Sequence, residues 1–401
     1  MSLQTEKQKK SGLRWAGVVL LALFAFPMVL TALIPIVGQR DESVQENRTL
    51  KKLPAWTAQG FLSGAFQDDL EDALIDQLPL GEPVKGAVLD AKNGLLKTQQ
   101  QLLFALRPDL KSNYSLIADG YYHYAGDAHR IVEMPKAYDA AHLEALAASF
   151  RGLPDVKIYF IENSRTVDFD HPAEENEALR QTLAAFAPAA WDVFPVEDYE
   201  SYCRDFYQTD HHWNCEGSYE GYQAVYRLLH GTEEGMIPAG DTVGTDAVFQ
   251  GSYARQTHDL CADETFAFKT FDLPKFTTEI NGRRRAYGNT AMYARGKYPT
   301  DSLANHYANC FGGDFGQIIY DFGTEGKGKL LLVASSYSNP INALIAAGYD
   351  QTYVVDLRYY QEWAGKPFDP VSYCEENGIG TVLLLGDVNL FFVDGPEEGG
   401  E

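Results

Sequence analysis

The chain has 401 residues, 45% of them hydrophobic and 22% charged, which is enough apolar content for one large folded domain or two ordinary ones. Its formal net charge of −23 argues against a nucleic-acid partner, because gripping phosphates requires a basic surface. The acidic excess reads as a solubility device.

The N-terminus departs from that balance. Lys7, Lys9, Lys10, Arg14 and Arg40 face a single acid, Glu6, within the first 40 residues. Between them runs WAGVVLLALFAFPMVLTALIPIV, residues 15–37, without one charge. That length spans a hydrocarbon layer of roughly 30 Å. The basic flank is N-terminal to it, so residues 1–14 read as a cytoplasmic basic tail and the bulk of the chain as extracytoplasmic. A cleaved signal peptide would have a shorter apolar region, about 7–15 residues, followed by a small-x-small site. The expectation is a single-pass transmembrane signal anchor in the cell membrane.

Residues 38–105 read as a juxtamembrane linker and helical arm. GQRDESVQENRTLKKLPAW is polar and turn-rich, and from residue 57 apolar positions recur every three or four residues. Residues 106–392 alternate strands with amphipathic helices. VKIYFIEN (156–163), KLLLVASS (329–336), QTYVVDL (351–357) and TVLLLGDV (381–388) are continuous apolar runs, as in a parallel sheet covered on both faces. Residues of about 240–310 break this rhythm and read as an irregular β-containing insertion. The acidic, Gly-rich residues 393–401 are expected to form a disordered tail.

Chemistry concentrates in two places. YQTDHHWNCEGSY (207–219) sets Asp210, His211, His212 and Trp213 on a loop before a helix that Asn214 can cap and Gly231 can end. An alternative role is a capping cluster with solvent-facing histidines. LLLVASSYSNPINALIAAG (330–348) runs from a buried strand through a small polar turn into a helix, with Ser338 or Asn339 as cap and Pro340 at the first helical position. A serine there sits where open α/β sheets bind ligands, beside backbone N–H groups that can hold an oxyanion. Ser335 or Ser336, a histidine and Asp210 are the parts of a nucleophile–base–acid triad.

Other readings are weaker. Asp210, His211 and His212 lack a distant third metal ligand, and adjacent histidines rarely chelate one ion. GTEGKGK (323–329) lacks the ending of a phosphate loop. Neither a metal nor a cofactor is called for. The five cysteines, 203, 215, 261, 310 and 374, show no paired metal spacing. In an exported domain Cys203 and Cys215 could pair as a disulfide; otherwise they are small buried residues.

TDHHWN (209–214) is the name-giving signature of the DHHW family of bacterial exported proteins, which is similar to the alginate O-acetyltransferases within the SGNH-hydrolase-like superfamily. ENRTLKKLPAW (46–56) resembles that family's segment after its anchor. SSYSNPINALIAAGYDQTYVVDLRYYQ (335–361) is similar to its nucleophile block and the Asp-x-Arg-Tyr strand behind it. The resemblance implies a three-layer α/β/α domain with a parallel central sheet. It also implies that Ser336 is the nucleophile, His212 the general base and Asp210 the residue that orients it. His211 would be the intervening residue, and Trp213 would pack against the site. Asn339 matches the residue three after the family's serine, and Gly313, in CFGGDFG (310–316), is a candidate oxyanion donor. Where the family has Asp-Ser, this chain has Ser335-Ser336. The implied function is an anchored O-acetyltransferase or acetylesterase acting on a cell-envelope or secreted polysaccharide, with a membrane-bound O-acyltransferase as partner. The alternative is a catalytically inactive, surface-anchored carbohydrate-binding or assembly protein on the same fold.

Overall fold

A computed structural model describes residue 34 and residues 38–40, 42–43, 48–78, 81–135, 137–153, 155–186 and 190–392. The basic tail, all of the expected anchor but Ile34, and the acidic tail lie outside the described residues. Among the described residues no helix is long and apolar enough to cross a membrane.

The chain divides into two compact units, residues 1–92 with 400–401 and residues 93–399. In the first, β1 (Glu42–Ser43) pairs antiparallel with β2 (Arg48–Thr49), and two helices follow, α1 (Ala58–Ser63) and α2 (Ala65–Gln77). The Thr57 side chain caps α1 by accepting the Gly60 N–H. The buried Gln77 amide donates to the Arg40 and Lys51 carbonyls, each at 2.9 Å, and accepts the Arg40 N–H at 2.8 Å. One side chain thereby satisfies backbone groups of two separate segments. The division between the units falls within α3 (Gly81–Leu106).

In the second unit, β3 (Tyr114–Ala118), β4 (Tyr121–Tyr124) and β5 (Val132–Glu133) form a small antiparallel sheet. Then come α4 (Ala140–Ser149), β6 (Val156–Ile161), α5 (Pro172–Phe186), β7 (Trp191–Phe194), α6 (Tyr199–Asp205) and α7 (Cys215–His230). The next stretch holds β8 (Thr242–Val248), α8 (Ser252–Thr257), β9 (Thr265–Lys269), β10 (Thr277–Ile280), β11 (Arg283–Arg284), α9 (Thr290–Tyr293) and α10 (His306–Phe311). The chain continues with β12 (Gln317–Asp321), β13 (Lys329–Ala334), α11 (Asn342–Ala346), β14 (Gln351–Val355), α12 (Leu357–Ala364), α13 (Pro370–Asn377), β15 (Thr381–Gly386) and α14 (Val388–Phe392).

The main sheet has eight strands in the order β11-β10-β12-β14-β13-β15-β6-β7. Strands β14 through β7 are parallel, whereas β11, β10 and β12 join antiparallel. The sheet is therefore mixed, not the parallel sheet expected. The antiparallel run starts where β12 pairs with β14, and at its far end Asn281-Gly282 turns β10 into β11 with φ of 47° and 74°. Two successive positive-φ residues make the turn whose twist matches a tight hairpin, so the irregular stretch contributes two strands to one sheet edge before α9 and α10.

Both faces of the sheet are covered, and strand alternation sorts the side chains. Tyr159, Ile161, Leu330, Leu332, Leu383 and Leu385 point toward α7 and α11, where they meet Tyr222, Val225, Leu344 and Ile345. Ile158, Phe160, Leu331, Val333, Val382 and Leu384 point the other way, onto Leu143, Leu146, Leu179, Leu183, Tyr373 and Phe391. A third cluster, Tyr207, Phe249, Phe266, Phe268, Tyr293, Tyr307 and Phe311, fills the region around β8 and β9.

Two local expectations change. The helix after β13 starts at Asn342, after a 3₁₀ turn at Ser336–Ser338, so neither Ser338 nor Asn339 caps it. The Asp-x-Arg-Tyr segment is a helix start, because Asp356 ends the extended chain and accepts the Arg358 N–H of α12. All five cysteines, Cys203 and Cys215 included, are free thiols.

Candidate active site

The loop that carries Asp210 and the two histidines is closed at its base. Phe206 and Trp213 form an antiparallel bridge, Tyr207 N–H donates to His212 O at 3.2 Å, and Asn214 N–H donates to Asp205 O at 2.8 Å. Asn214 then caps α7 through the Glu216 and Gly217 N–H groups, as its side chain suggested. Trp213 is fully buried, edge-on to Phe194 and Tyr337. It lies against Gly221 so closely that a Cβ there would sit 2.4 Å from the indole ring. Arg130 fastens the other side by donating to the carbonyls of Cys203, Phe206 and Tyr207.

Asp210, only 3% exposed, has both carboxylate oxygens engaged. Oδ2 accepts the Ser252 N–H at 2.8 Å. Oδ1 accepts the His212 N–H at 3.1 Å and lies 2.6 Å from His212 Nδ1. The chain before Ser252 comes so near that a Cβ on Gly251 would be 2.4 Å from Asp210 Cβ. Burial alone would raise the Asp210 carboxyl, but His212, His211 and Arg255 outweigh it and hold it well below the usual carboxylate range. An ionised Asp210 can only accept, so the proton of the pair sits on His212 Nδ1. His212 Nε2 then presents its lone pair to Ser336 Oγ, 2.7 Å away.

Ser336 opens the 3₁₀ turn directly after β13, a central parallel strand. The structure thus brings together Ser336, His212 and Asp210, residues 126 positions apart at their extremes, in one hydrogen-bonded line. His211 lies beside this line. Its ring is 3.8 Å from that of His212, its Nδ1 is 3.0 Å from Ser252 Oγ, and burial and then His212 hold it well below the usual histidine range. Asp210, His211 and His212 offer ligand atoms within 4.8 Å of one another, yet both ring nitrogens of His212 already face Asp210 and Ser336. Ser335 does not join the line, and its buried hydroxyl has no partner among the described residues.

Asn339 acts differently from a free donor. Its amide nitrogen lies 3.0 Å from Asp314 Oδ1 and 3.3 Å from Gly312 O, and its oxygen accepts from Tyr287 at 3.0 Å. Gly313 O also accepts from Tyr287, at 2.9 Å. Arg358 then joins Asp314 Oδ2, at 2.9 Å, to Asp356 Oδ2, at 2.6 Å. Asn339 and Arg358 therefore tie the Gly312–Asp314 loop to the serine turn and to α12.

Two tyrosines that sequence reasoning missed complete the surroundings. Tyr307 stacks on His212, with ring centroids 3.8 Å apart and planes 13° from parallel, and its hydroxyl donates to Ser336 O at 2.9 Å. Tyr337 donates to His211 O at 2.6 Å and accepts from Asn163 at 2.7 Å. Tyr307 comes from the irregular stretch, whose sequence has no periodicity to mark it. Tyr337 was legible only as the neighbour of Ser336.

No family model matches the chain, and no curated protein matches it. Solved structures do. A DHHW family protein from Eubacterium siraeum superposes with a TM-score of 0.50 at 15% identity, over 68% of this chain and 92% of that one. PatB1 of Bacillus cereus superposes with a TM-score of 0.51 at 16% identity, over 66% and 95%. The resemblance to the DHHW family, first carried by TDHHWN, is thus matched in the fold.

Proposed function

We propose that the chain is a membrane-anchored, extracytoplasmic enzyme that moves or removes an acetyl group on a cell-envelope or secreted polysaccharide. The observation that carries this reading is the line Asp210 Oδ1, His212, Ser336 Oγ, with contacts of 2.6 and 2.7 Å on the two ring nitrogens.

The chemistry follows from those contacts. Ser336 Oγ gives its proton to His212 Nε2 and bonds to the carbonyl carbon of the acyl donor. The carbonyl oxygen takes up negative charge, and the backbone N–H groups of Ser336 and Gly313 are its proposed donors. The imidazolium of His212 returns the proton to the leaving oxygen as the acyl–oxygen bond breaks, which leaves an acyl-serine. A sugar hydroxyl then loses its proton to His212 and its oxygen bonds to the acyl carbon. The acyl–Oγ bond breaks as the imidazolium returns that proton to Ser336 Oγ, and in the esterase variant water takes the sugar's place. Asp210, held ionised, keeps the ring oriented and stabilises the imidazolium. A membrane-bound O-acyltransferase is the proposed acyl source. The residues proposed for catalysis require no metal or cofactor in these steps.

Hydrolysis of an acetyl ester by the full chain, compared with Ser336→Ala and His212→Ala, tests the assignment. Turnover by both variants should fall by roughly 10⁴-fold or more, and equal turnover by all three proteins would sink it. Ser335, in place of the family's usual aspartate and with its hydroxyl unpartnered among the described residues, favours a second reading, a polysaccharide-binding protein without activity. That reading expects no turnover by the unaltered chain and undiminished binding of polysaccharide by Ser336→Ala.

A further inference from the structure

The sheet β3-β4-β5 and the segment after α8 bring together three metal-ligating side chains that the proposed reaction does not use. They are His123 on β4, and Asp259 and Cys261 beyond the end of α8. The nitrogen, oxygen and sulfur atoms they offer all lie within 4.8 Å of one another, and all three residues are half-buried. His123 Nε2 is 3.4 Å from Asp259 Oδ2. That is about the edge of a tetrahedron with bonds of roughly 2.1 Å, the length of zinc–nitrogen and zinc–oxygen bonds.

The imidazole is oriented for a metal. His123 Nδ1 lies 2.7 Å from the Arg130 carbonyl, an acceptor only, so Nδ1 carries a proton and Nε2 faces Asp259. Metal-bound histidines use this outer hydrogen bond to set tautomer and ring angle. The segment that brings the other ligands is also shaped. Asp259 N–H donates to Thr257 Oγ1 at 3.2 Å, His258 turns the chain at φ 60°, and Cys261 O lies 3.0 Å from His129 Nδ1.

We propose that His123, Asp259 and Cys261 bind one zinc ion, with solvent at the fourth position. A mixed nitrogen, oxygen and sulfur set suits zinc, whereas calcium and magnesium call for oxygen ligands. On binding, the Cys261 thiol loses its proton to solvent and the thiolate bonds to the ion. Cys261 Sγ lies 3.3 Å from the His129 carbonyl, which the thiol gives up on binding. The ion would clamp residues 259–261 onto β4. The same segment runs on to Asp263 and Glu264, which bond to Gln208, two residues before Asp210. Zinc would therefore stiffen the support of the Asp210 loop through Gln208.

The test is X-ray absorption at the zinc edge on the full chain, stripped of metal and reloaded with one equivalent of Zn²⁺. One sulfur at about 2.3 Å beside nitrogen and oxygen at about 2.0–2.2 Å is expected. A sulfur-free shell would overturn the proposal, since that is what Asp210, His211 and His212 would supply. So would failure of the unaltered chain to retain the ion. In competition with a chromogenic chelator, Cys261→Ser and His123→Gln should each weaken Zn²⁺ binding by at least about 100-fold, more than loss of an outer hydrogen bond costs. Unchanged affinity in Cys261→Ser counts against the site. Because the absorption measurement needs no variant, a sulfur-free shell overturns the proposal even if a substitution prevents folding, and the loss of affinity in Cys261→Ser separates Cys261 from the other free thiols.

Discussion

At the scale of single residues, the acid of the proposed triad is the most constrained member. Asp210 is buried, accepts three hydrogen bonds and is held ionised by its neighbours. Asp210→Asn keeps the shape but lets His212 adopt the tautomer with its proton on Nε2. Acetyl-ester turnover should then fall roughly 10⁴-fold, as in triads altered this way, with little change in KM. Steady-state kinetics of the variant checks this. Glu264 gives a second prediction, on stability. Burial, against the bond from the Gln208 N–H, pushes its carboxyl up to about 7 from an ordinary 4.5. The folded chain therefore holds this proton more tightly than the unfolded chain does. Its contribution favours folding least above pH 7, and stability should decline as pH rises from about 4.5 to about 7. Glu264→Gln, which keeps an acceptor for Gln208, should remove that part of the slope in denaturant titrations across the window.

At the scale of elements, the site depends on how closely segments approach. α7 lies against Trp213 only because residue 221 has no side chain, and the ring is fully buried with nowhere to withdraw. Gly221→Ala should cost about 1–3 kcal/mol through overpacking, measured by urea unfolding. The Gly312–Asp314 loop is positioned from two directions, by Asn339 of the serine turn and by Arg358 at the start of α12. Asn339→Ala should leave the Ser336–His212 contact intact but release that loop. We expect kcat to fall about 10²-fold, the loss typical of one oxyanion donor, with KM nearly unchanged. An effect as large as that of Ser336→Ala would instead place Asn339 in the reaction itself.

At the scale of the whole molecule, the basic tail and the uncharged residues 15–37 bear on where the chain works. Their composition supports a single-pass anchor with the bulk of the chain outside the cytoplasm. The full chain should stay with membranes through alkaline carbonate extraction, and a chain lacking residues 1–37 should not. Proteolysis of intact cells should also degrade the C-terminal part. Release of the full chain by carbonate would refute the anchor. The net charge of −23 argues against a nucleic-acid partner.

Much of this was legible in the chain itself because the signals were local. Buried strands read as continuous apolar runs, and Asn214 and Gly231 mark the ends of α7 through short-range capping. The signature Asp210-His211-His212-Trp213 and the strand-to-serine turn each stood out by composition. Asn281-Gly282 was an available hairpin signal for β10 and β11, although not for the antiparallel pairing of β12 with β14. What the tertiary structure alone decided were contacts between distant segments. It chose Ser336 over Ser335 and His212 over His211 as the pair in contact. It brought Tyr307 onto the imidazole, gave Asn339 to the glycine loop, and gathered His123 with Asp259 and Cys261. The reason is physical: periodicity and capping act within a few residues, whereas these distances are set by how both faces of one sheet pack.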